Sequence, residues 1–383
     1  MSLSDLPREI LLDITDYLDV RGTNALARTN SGLYQLLDER LYRQDVAKPI
    51  SRSLAWAAEN GVICTAQRAI NATQCFNPIP ESFYKALEVA SYQGHVHLVE
   101  LLLKINGITS NPKFTPLTSA CSNGHVSIVR QFQARDDIDF NCFRFCHTPL
   151  IAACSNGHKE VAKLLLDDDR VNINLGGRWM PLHKAVESGS MELVKYFLAK
   201  NDLELNIVND QGEHVLGIAL SKGYLDIVKL LLEQEGIEIN LLDKALCTDP
   251  ASLDLEQCRL EEEGLDSDIA GETPLTYSVA MCPEIFHLLL EKDGINPNSR
   301  NLHGKTPLAY VCSYRGQLLK PGSVAVVRSL LSHPGTDPNA VDNDGVSIFA
   351  AFMNARGYMK NVSDLSRCQV DEIELLLRAA GAR

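Results

Sequence analysis

The pentapeptide CSNGH occurs twice, at residues 121–125 and 154–158, and contains two residue types that can do chemistry. A cysteine thiolate can be a nucleophile or a metal ligand, and a histidine can be a general base or a metal ligand. The stretch NCFRFCHTPL adds Cys142, Cys146 and His147, which could suggest zinc. Structural zinc needs four ligands, and the sequence has no second cluster of comparable spacing. We therefore predict no metal ion and no cofactor.

The sequence also lacks the short motifs of common catalytic sites. It has no glycine-rich phosphate loop, no HExxH and no GxSxG. The acidic runs at 167–169 and 261–263 lack the alternating ligands and central glycine of a calcium loop. Because no set of nucleophile, base and orienting group is recognisable, we predict that the chain is not an enzyme.

The composition is that of a globular chain with an acidic surface. Hydrophobic residues make up 45% and charged residues 22% of its 383 residues, so most of the chain should bury apolar surface. The net charge of −13 disfavours direct binding of nucleic acid, because such binding depends on Lys and Arg displacing counterions. No secretion signal is visible, the apolar runs are too short to span a bilayer, and the eleven cysteines form no regular pairs. We expect reduced thiols, no membrane contact and a location in the cytoplasm, the nucleus or both.

Each CSNGH belongs to a longer unit that recurs along the chain. TPLTSACSNGHVSIVRQF at 115–132 aligns with TPLIAACSNGHKEVAKLLL at 148–166. Further copies stand at 180–198, 214–232, 273–290 and 306–316. One leucine aligns in every copy, with steps of 33, 32, 34, 59 and 33 residues between Leu117, Leu150, Leu182, Leu216, Leu275 and Leu308. A fixed period is typical of a repeat array, and the long step is one period plus an insertion.

The letters of the unit predict two helices. A threonine before each Pro-Leu can cap a first helix, as we expect for Thr115, Thr148, Thr273 and Thr306. The glycine about nine residues later, such as Gly124 or Gly157, can end that helix in a left-handed conformation. An apolar stripe at helical spacing then indicates a second helix that packs on neighbouring units.

These features resemble the ankyrin repeat, a unit of about 33 residues with one β-turn, two helices and a Thr-Pro-Leu-His opening. The resemblance covers about residues 53–380 and includes weaker copies at 53–70, 81–105 and 347–381. It implies an all-α fold with short β-hairpin turns, an ankyrin-repeat solenoid of about nine repeats. The cysteines of CSNGH are then small buried residues. Its histidines, with His95, match a family position that bonds nearby backbone.

In the family, the residues before each Thr-Pro-Leu and at the end of the first helix line the concave face where partners dock. The resemblance places these residues there: Phe114, Asn123, Arg144, Phe145, His147, Asn156, Arg178, Trp179 and Glu187. Arginine and large aromatics dominate interface energetics. We therefore predict a protein partner on this face, contacted by Trp179 and a neighbouring phenylalanine. The alternative is that Phe143 or Phe145 packs under its own turn.

The first fifty residues do not follow the repeat. Their opening Leu-Pro-x-Glu-Ile-Leu resembles an F-box over about residues 3–45, although the tryptophan that often closes that motif is absent. The resemblance implies that the adaptor subunit of a cullin-RING ubiquitin ligase binds Leu6, Pro7, Glu9, Ile10, Leu11, Ile14 and Leu18. The alternative is an N-terminal cap that shields the first helix pair from water.

The sequence thus predicts four segments. They are an F-box-like helical segment or cap at 1–50, repeats 1–6 at 51–242, an acidic insertion loop at 243–269 and repeats 7–9 at 270–383. The predicted function is a non-catalytic interaction scaffold that serves as substrate receptor of an SCF-type cullin-RING ligase. The alternative is an ankyrin scaffold or transcriptional co-regulator that binds a DNA-bound factor and has no ubiquitin role.

Overall fold

The computed structural model describes most of the repeat region. The described residues are 51–72, 79–108, 115–143, 147–210, 212–240, 273–281, 283–320, 322–357 and 364–383, with the single residues Ile10, Ile14, Tyr17, Leu18, Asp45 and Val46. The predicted insertion at 243–269 and most of the segment 1–50 lie outside them. The chain divides into two compact units, a first unit Met1–Gly176 and a second unit Gly177–Arg383. The four predicted segments stay a prediction.

The described part of the first unit consists of helix pairs. Its helices are α1 Arg52–Asn60, α2 Ile63–Ala72, α3 Glu81–Gln93, α4 Val96–Leu103, α5 Pro116–Ser122, α6 Val126–Gln133, α7 Pro149–Ser155 and α8 Lys159–Leu166. The first helices α1, α3, α5 and α7 pack on one another in chain order, and so do the second helices α2, α4, α6 and α8. This is the stacking that a repeat array requires.

The second unit continues the same pattern. Its described helices are α9 Pro181–Glu187, α10 Met191–Leu198, α11 Val215–Ser221, α12 Leu225–Leu232, α13 Pro274–Met281, α14 Pro283–Leu290, α15 Pro307–Ser313, α16 Arg315–Leu318, α17 Ser323–Ser332, α18 Ile348–Gly357 and α19 Asp364–Ala379. Two isolated antiparallel bridges, Val208 with His214 and Val341 with Ser347, close hairpin turns. The one further bridge position among the described residues is His147, and the rest of the regular structure is helical, so the predicted all-α class with short hairpins is confirmed.

The aligned leucines form the core of the repeats. All six are buried, with at most 5% of their surface exposed. Burying a leucine stabilises a fold by about 1.5–3 kcal/mol relative to leaving it exposed. In α8, Val161 and Leu165 are fully buried and Leu164 is half-buried, so the predicted apolar stripe faces the neighbouring pairs.

The threonine caps form at some repeats only. The hydroxyl oxygens of Thr148 and Thr306 each accept a hydrogen bond of 3.2 Å, from the amides of Ile151 and Ala309. The expected cap at Thr115 is wrong, because its side chain makes no cap hydrogen bond. Its backbone lies at φ −127° and ψ 67°, outside the extended region that the capping threonines occupy.

The histidine of CSNGH links one repeat to the next. The Nε2 atoms of His125 and His158 lie 2.9 Å and 3.0 Å from the carbonyl oxygens of Tyr92 and Ser122, in the preceding repeat. His95 contacts the carbonyl of Glu59 in the same way, at 3.1 Å. The interpretation of these histidines as structural residues is therefore confirmed.

The two copies of CSNGH differ in what surrounds their glycine. Gly124 and Gly157 have nearly equal φ angles, +73° and +72°. A Cβ atom on Gly124 would lie 2.5 Å from Nδ1 of His158, whereas nothing lies within 4 Å of the same position on Gly157. The same five letters thus carry a packing constraint in only one copy.

We expect Gly157→Ala to lower the free energy of unfolding by about 1–2 kcal/mol, the strain of a left-handed alanine. Gly124→Ala should cost about 1 kcal/mol more, because the displaced His158 loses its hydrogen bond to Ser122. Urea unfolding monitored by circular dichroism measures both losses. In a His158→Ala background the two substitutions should become equal. Equal losses in the wild-type background would contradict the packing argument.

Candidate partner-binding surfaces

The residues predicted to bind an adaptor are described only in part. Ile10 exposes 45% of its surface, and Ile14 and Leu18 are half-buried. Ile10 and Ile14 are helical. The remaining four lie outside the described residues: Leu6, Pro7, Glu9 and Leu11.

The end of the segment 1–50 is bound to the first repeats. A carboxylate oxygen of Asp45 accepts hydrogen bonds from the Ser51 hydroxyl at 2.7 Å and the Ser53 amide at 2.9 Å, at the start of α1. Burial raises the pKa of Asp45, but the hydrogen bonds from Ser53 and Ser51 outweigh burial and leave this pKa below its usual value. Val46 is fully buried, and its carbonyl accepts a hydrogen bond of 2.9 Å from Ser82.

A cavity of about 300 Å³ lies on the first helices of the first unit. We name it the first-unit cavity. Its lining residues are Glu88, Tyr92, Thr115, Thr118, Ser119, Ser122, His147, Ala152 and Asn156. Most of these lining side chains are small, and the largest is Tyr92, which exposes 54% of its surface.

Two predicted partner-binding residues, His147 and Asn156, line the first-unit cavity. Asn123 does not line it and donates its amide to the Ser119 carbonyl at 3.0 Å. Phe114, Arg144 and Phe145 lie outside the described residues. Phe143, which is described, exposes 51% of its surface, so it does not pack fully under its own turn.

Sequence reasoning missed Glu88 and Tyr92 in this cavity. Tyr92 stands two residues before Gly94, just as Ser122 stands two residues before Gly124. An alignment of the repeats on this glycine would therefore have placed Tyr92 among the candidate residues at the end of a first helix.

A second cavity, of about 270 Å³, lies on the first helices of the second unit. We name it the second-unit cavity. It brings together the predicted Arg178, Trp179 and Glu187. Its other lining residues are Met180, His183, Lys184, Asn209, Glu213, Ile218, Ser221 and Lys222.

Trp179 lies among cations in the second-unit cavity. The Lys184 Nζ is 3.6 Å from the centroid of the indole ring, and the Arg178 Cζ is 5.1 Å from it. Each such cation–π contact contributes about 0.5–1 kcal/mol at an exposed site. Lys184 also forms an ion pair with Glu187, one turn further along α9. These contacts orient the indole ring at the mouth of the cavity.

Lys184 and Lys222 were not predicted. Lys222 directly precedes Gly223, as Asn156 directly precedes Gly157. The repeat alignment would therefore have placed Lys222 at the same candidate position as Asn156. Only the structure shows the approach of Lys184 to Trp179, because the two residues are five positions apart across the start of a helix.

Two buried histidines lie beneath the second-unit cavity. The Nε2 atom of His183 is 2.9 Å from the Glu213 carbonyl oxygen, and Nδ1 of His214 accepts a hydrogen bond of 3.3 Å from the Leu216 amide. The other ring nitrogen of each is buried with no hydrogen-bond partner. Burial is the main cause that lowers the pKa of both imidazoles to about 4, and the nearby His183 contributes to the shift of His214. Both are therefore neutral at pH 7.

The thiols of CSNGH are unsuited to nucleophilic chemistry. Cys121 and Cys154 are fully buried, and burial raises the pKa of each far above its usual value. A nucleophilic cysteine requires the opposite shift and access to solvent. Among the described residues, no group of three or more His, Cys, Asp or Glu side chains is placed to hold a metal ion. No described helix is long and apolar enough to cross a membrane.

Comparison with known proteins identifies the class. A family model described as ankyrin repeats in three copies matches residues 54–143, 87–176 and 170–243, and an ankyrin-repeat model matches 270–302 and 303–343. Together these matches cover more than half of the chain. The chain belongs to the ankyrin-repeat family, whose repeats are protein-interaction modules that are generally non-catalytic.

Individual relatives match parts of the chain. The E3 ubiquitin-protein ligase KEG of Arabidopsis thaliana is 29% identical over 178 residues, which are 44% of this chain and 9% of that protein. The probable 26S proteasome regulatory subunit p28 of Saccharomyces cerevisiae is 29% identical over 161 residues, 40% of this chain and 71% of that protein. The crystal structure of the ankyrin repeat domain of Bcl-3, a member of the IkappaB family, has a TM-score of 0.49 and 22% identity, and covers 68% of this chain and 98% of that chain.

The buried histidines predict a pH dependence of stability. Their folded-state pKa of about 4 lies below the value of about 6.5 expected in the unfolded chain. The unfolded state therefore binds more protons than the folded state between these pH values. As a result, the free energy of unfolding has its full value above pH 6.5 and decreases as the pH falls towards 4. The loss is at most about 1.4 kcal/mol per pH unit for each imidazole.

Urea unfolding at several pH values between 7.5 and 4.5 measures this dependence. His214→Gln should flatten the profile. His97→Gln should not, because 81% of the His97 side chain is exposed. Identical profiles for wild type and His214→Gln would contradict the assignment of the pH dependence to His214.

Proposed function

We propose that this chain is a non-catalytic scaffold that binds a protein partner on the first helices of its repeats. We propose further that it is the substrate receptor of an SCF-type cullin-RING ubiquitin ligase. The repeats then hold the target, the segment 1–50 holds the adaptor, and ubiquitin chemistry belongs to other subunits. Such a receptor works in the cytoplasm, the nucleus or both.

The composition of the second-unit cavity carries the proposal that a protein binds here. Tryptophan and arginine are the residue types most enriched among interface hot spots. Arg178 is exposed and Trp179 is half-buried at the mouth of this cavity. The cavity also contains both signs of charge, which suits a protein surface better than an apolar small molecule.

The ubiquitin role is supported by the Leu-Pro-x-Glu-Ile-Leu opening at 6–11. It is also supported by two relatives of the repeats, one named as a ubiquitin-protein ligase and one as a proteasome subunit. Ile10, which belongs to this motif, exposes 45% of its surface, as is expected of an apolar residue that contacts a partner protein.

The anchoring of Asp45 and Val46 favours a second candidate. A segment whose end is hydrogen-bonded and buried against the first repeats also suits a cap that shields them from water. The chain would then be an ankyrin scaffold or transcriptional co-regulator without a ubiquitin role.

Trp179→Ala tests the proposed interface. We expect it to weaken partner capture at least about tenfold, as truncation of an interface tryptophan commonly does. Thermal unfolding should shift by no more than about 2 °C, since the ring is half-buried. Capture is measured by cross-linking in cells and quantitative mass spectrometry. Trp56→Ala, at an exposed tryptophan of the first unit that lines neither cavity, is the control. Unchanged capture by Trp179→Ala would contradict the proposal.

Leu6→Ala combined with Ile10→Ala separates the two candidates. If the segment 1–50 binds the ligase adaptor, co-purification with that adaptor should be lost while the repeats remain folded by circular dichroism. The matched control is Ile63→Ala with Leu375→Ala, which removes one exposed isoleucine and one exposed leucine from the repeats. If wild type fails to bind the adaptor, or if the double variant binds it normally, the receptor role is excluded and the cap is favoured.

A further inference from the structure

The second-unit cavity carries excess positive charge in a chain whose net charge is −13. Three cationic side chains line it, Arg178, Lys184 and Lys222, against two carboxylates, Glu187 and Glu213. A local charge opposite to that of the whole chain selects among partners, because complementary charges steer binding and like charges repel.

Both carboxylates of the cavity already have partners within the chain. Glu187 pairs with the Lys184 ammonium group. Glu213 accepts a hydrogen bond of 2.7 Å from the Asn209 side-chain amide, and its own backbone amide donates to the Asn209 side-chain oxygen at 2.9 Å. The amide hydrogen bonds leave the negative charge of Glu213 in place, so the side chains that line the cavity carry one net positive charge.

Arg178 and Lys222 form no ion pair with any described residue. Both are exposed, and they belong to successive repeats, one before α9 and one after α11. The Asp210 carboxylate lies 3.0 Å from where a Cβ atom of Gly177 would stand, so it is a further negative charge near Arg178. The cavity therefore presents two cations without an ion-pair partner, and Trp179 lies in the same lining.

We propose that this cavity binds an extended acidic segment of the partner protein. A carboxylate of the segment pairs with Arg178 and Lys222, and a neighbouring apolar side chain lies on Trp179. The inference rests on the proposed function, in that a protein occupies this surface, and it adds the chemistry of the segment that is recognised.

A carboxylate suits this site better than a phosphate does. Phosphate recognition commonly uses clusters of arginines that bind the oxygens in bidentate fashion. Here one arginine and one lysine lack an ion-pair partner, and Glu187 and Glu213 nearby would repel a doubly charged group more strongly than a singly charged one. Acidic residues beside an apolar residue match both the charge and the exposed indole.

The chain contains two tryptophans, Trp56 and Trp179, so Trp56→Phe makes Trp179 the single fluorescent reporter of the cavity. A phage library of random dodecapeptides is selected on this full-length variant, and the recovered peptides are synthesised. We expect the peptides to be enriched in Asp and Glu next to an apolar residue and to change the Trp179 emission on binding.

Charge reversal tests which cations bind the peptide. Arg178→Glu with Lys222→Glu should weaken binding of the selected peptides at least about tenfold, as loss of hot-spot contacts does. Lys195→Glu with Lys229→Glu, at exposed positions on the second helices α10 and α12, makes the same change in net charge and should not. Binding to wild type should also weaken as NaCl rises from 50 to 500 mM, because exposed charges are screened.

Several results would overturn the inference. Selected peptides without enrichment in acidic residues, or equal binding by the Arg178→Glu, Lys222→Glu variant, would show that a different segment binds and would leave the proposed function intact. A phosphoserine peptide that binds more than tenfold tighter than its glutamate form, or an oligonucleotide that displaces the peptide, would assign the site to another ligand. A library that yields no binder would also contradict the inference, whereas capture with Trp179→Ala tests the proposed function separately.

Discussion

Burial of apolar surface between successive helix pairs is the constraint on which the rest of this molecule depends. A single pair of short helices cannot bury its apolar surface alone, because that surface is removed from water only when a neighbouring repeat packs against the pair. Second helices such as α8, with Val161 and Leu165 fully buried, are covered by the first helix of their own repeat and by the second helix of the preceding one. This dependence explains why the unit recurs at nearly constant spacing.

Stacking brings polar backbone groups at the ends of the helices within reach of side chains from the next repeat, which form hydrogen bonds with them. In the first unit the guanidinium of Arg170 donates to the carbonyls of Gln133 and Arg135, at 2.9 Å and 2.7 Å. Asn141 donates to the carbonyl of Arg170 and accepts from the amide of Asn172. The histidines of CSNGH do the same for the ends of the first helices. Histidine and arginine, residue types that elsewhere perform catalysis, here form hydrogen bonds between repeats.

The repeats differ in the side chains that line their cavities. These variable positions lie in the turn before each first helix and at the exposed end of that helix. In the second unit these positions hold Arg178, Trp179, Glu187 and Lys222, which differ from the small polar residues of the first-unit cavity. The repeats therefore share one scaffold, while each cavity has its own chemistry.

The amino-acid sequence by itself determined the repeat, its two helices and the buried leucines, because each depends on local spacing that recurs many times. The structural role of the CSNGH histidines followed from the resemblance to the ankyrin repeat. Through their position in the repeat, the sequence also indicated that Arg178, Trp179 and Glu187 are candidate partner-binding residues. Only the tertiary structure decided that Lys184 contacts the Trp179 ring, that Gly124 is packed against His158 while Gly157 is not, and that Thr115 forms no cap. These features depend on distances between side chains, within one repeat or between two, and on backbone angles at single residues, which sequence periodicity does not specify.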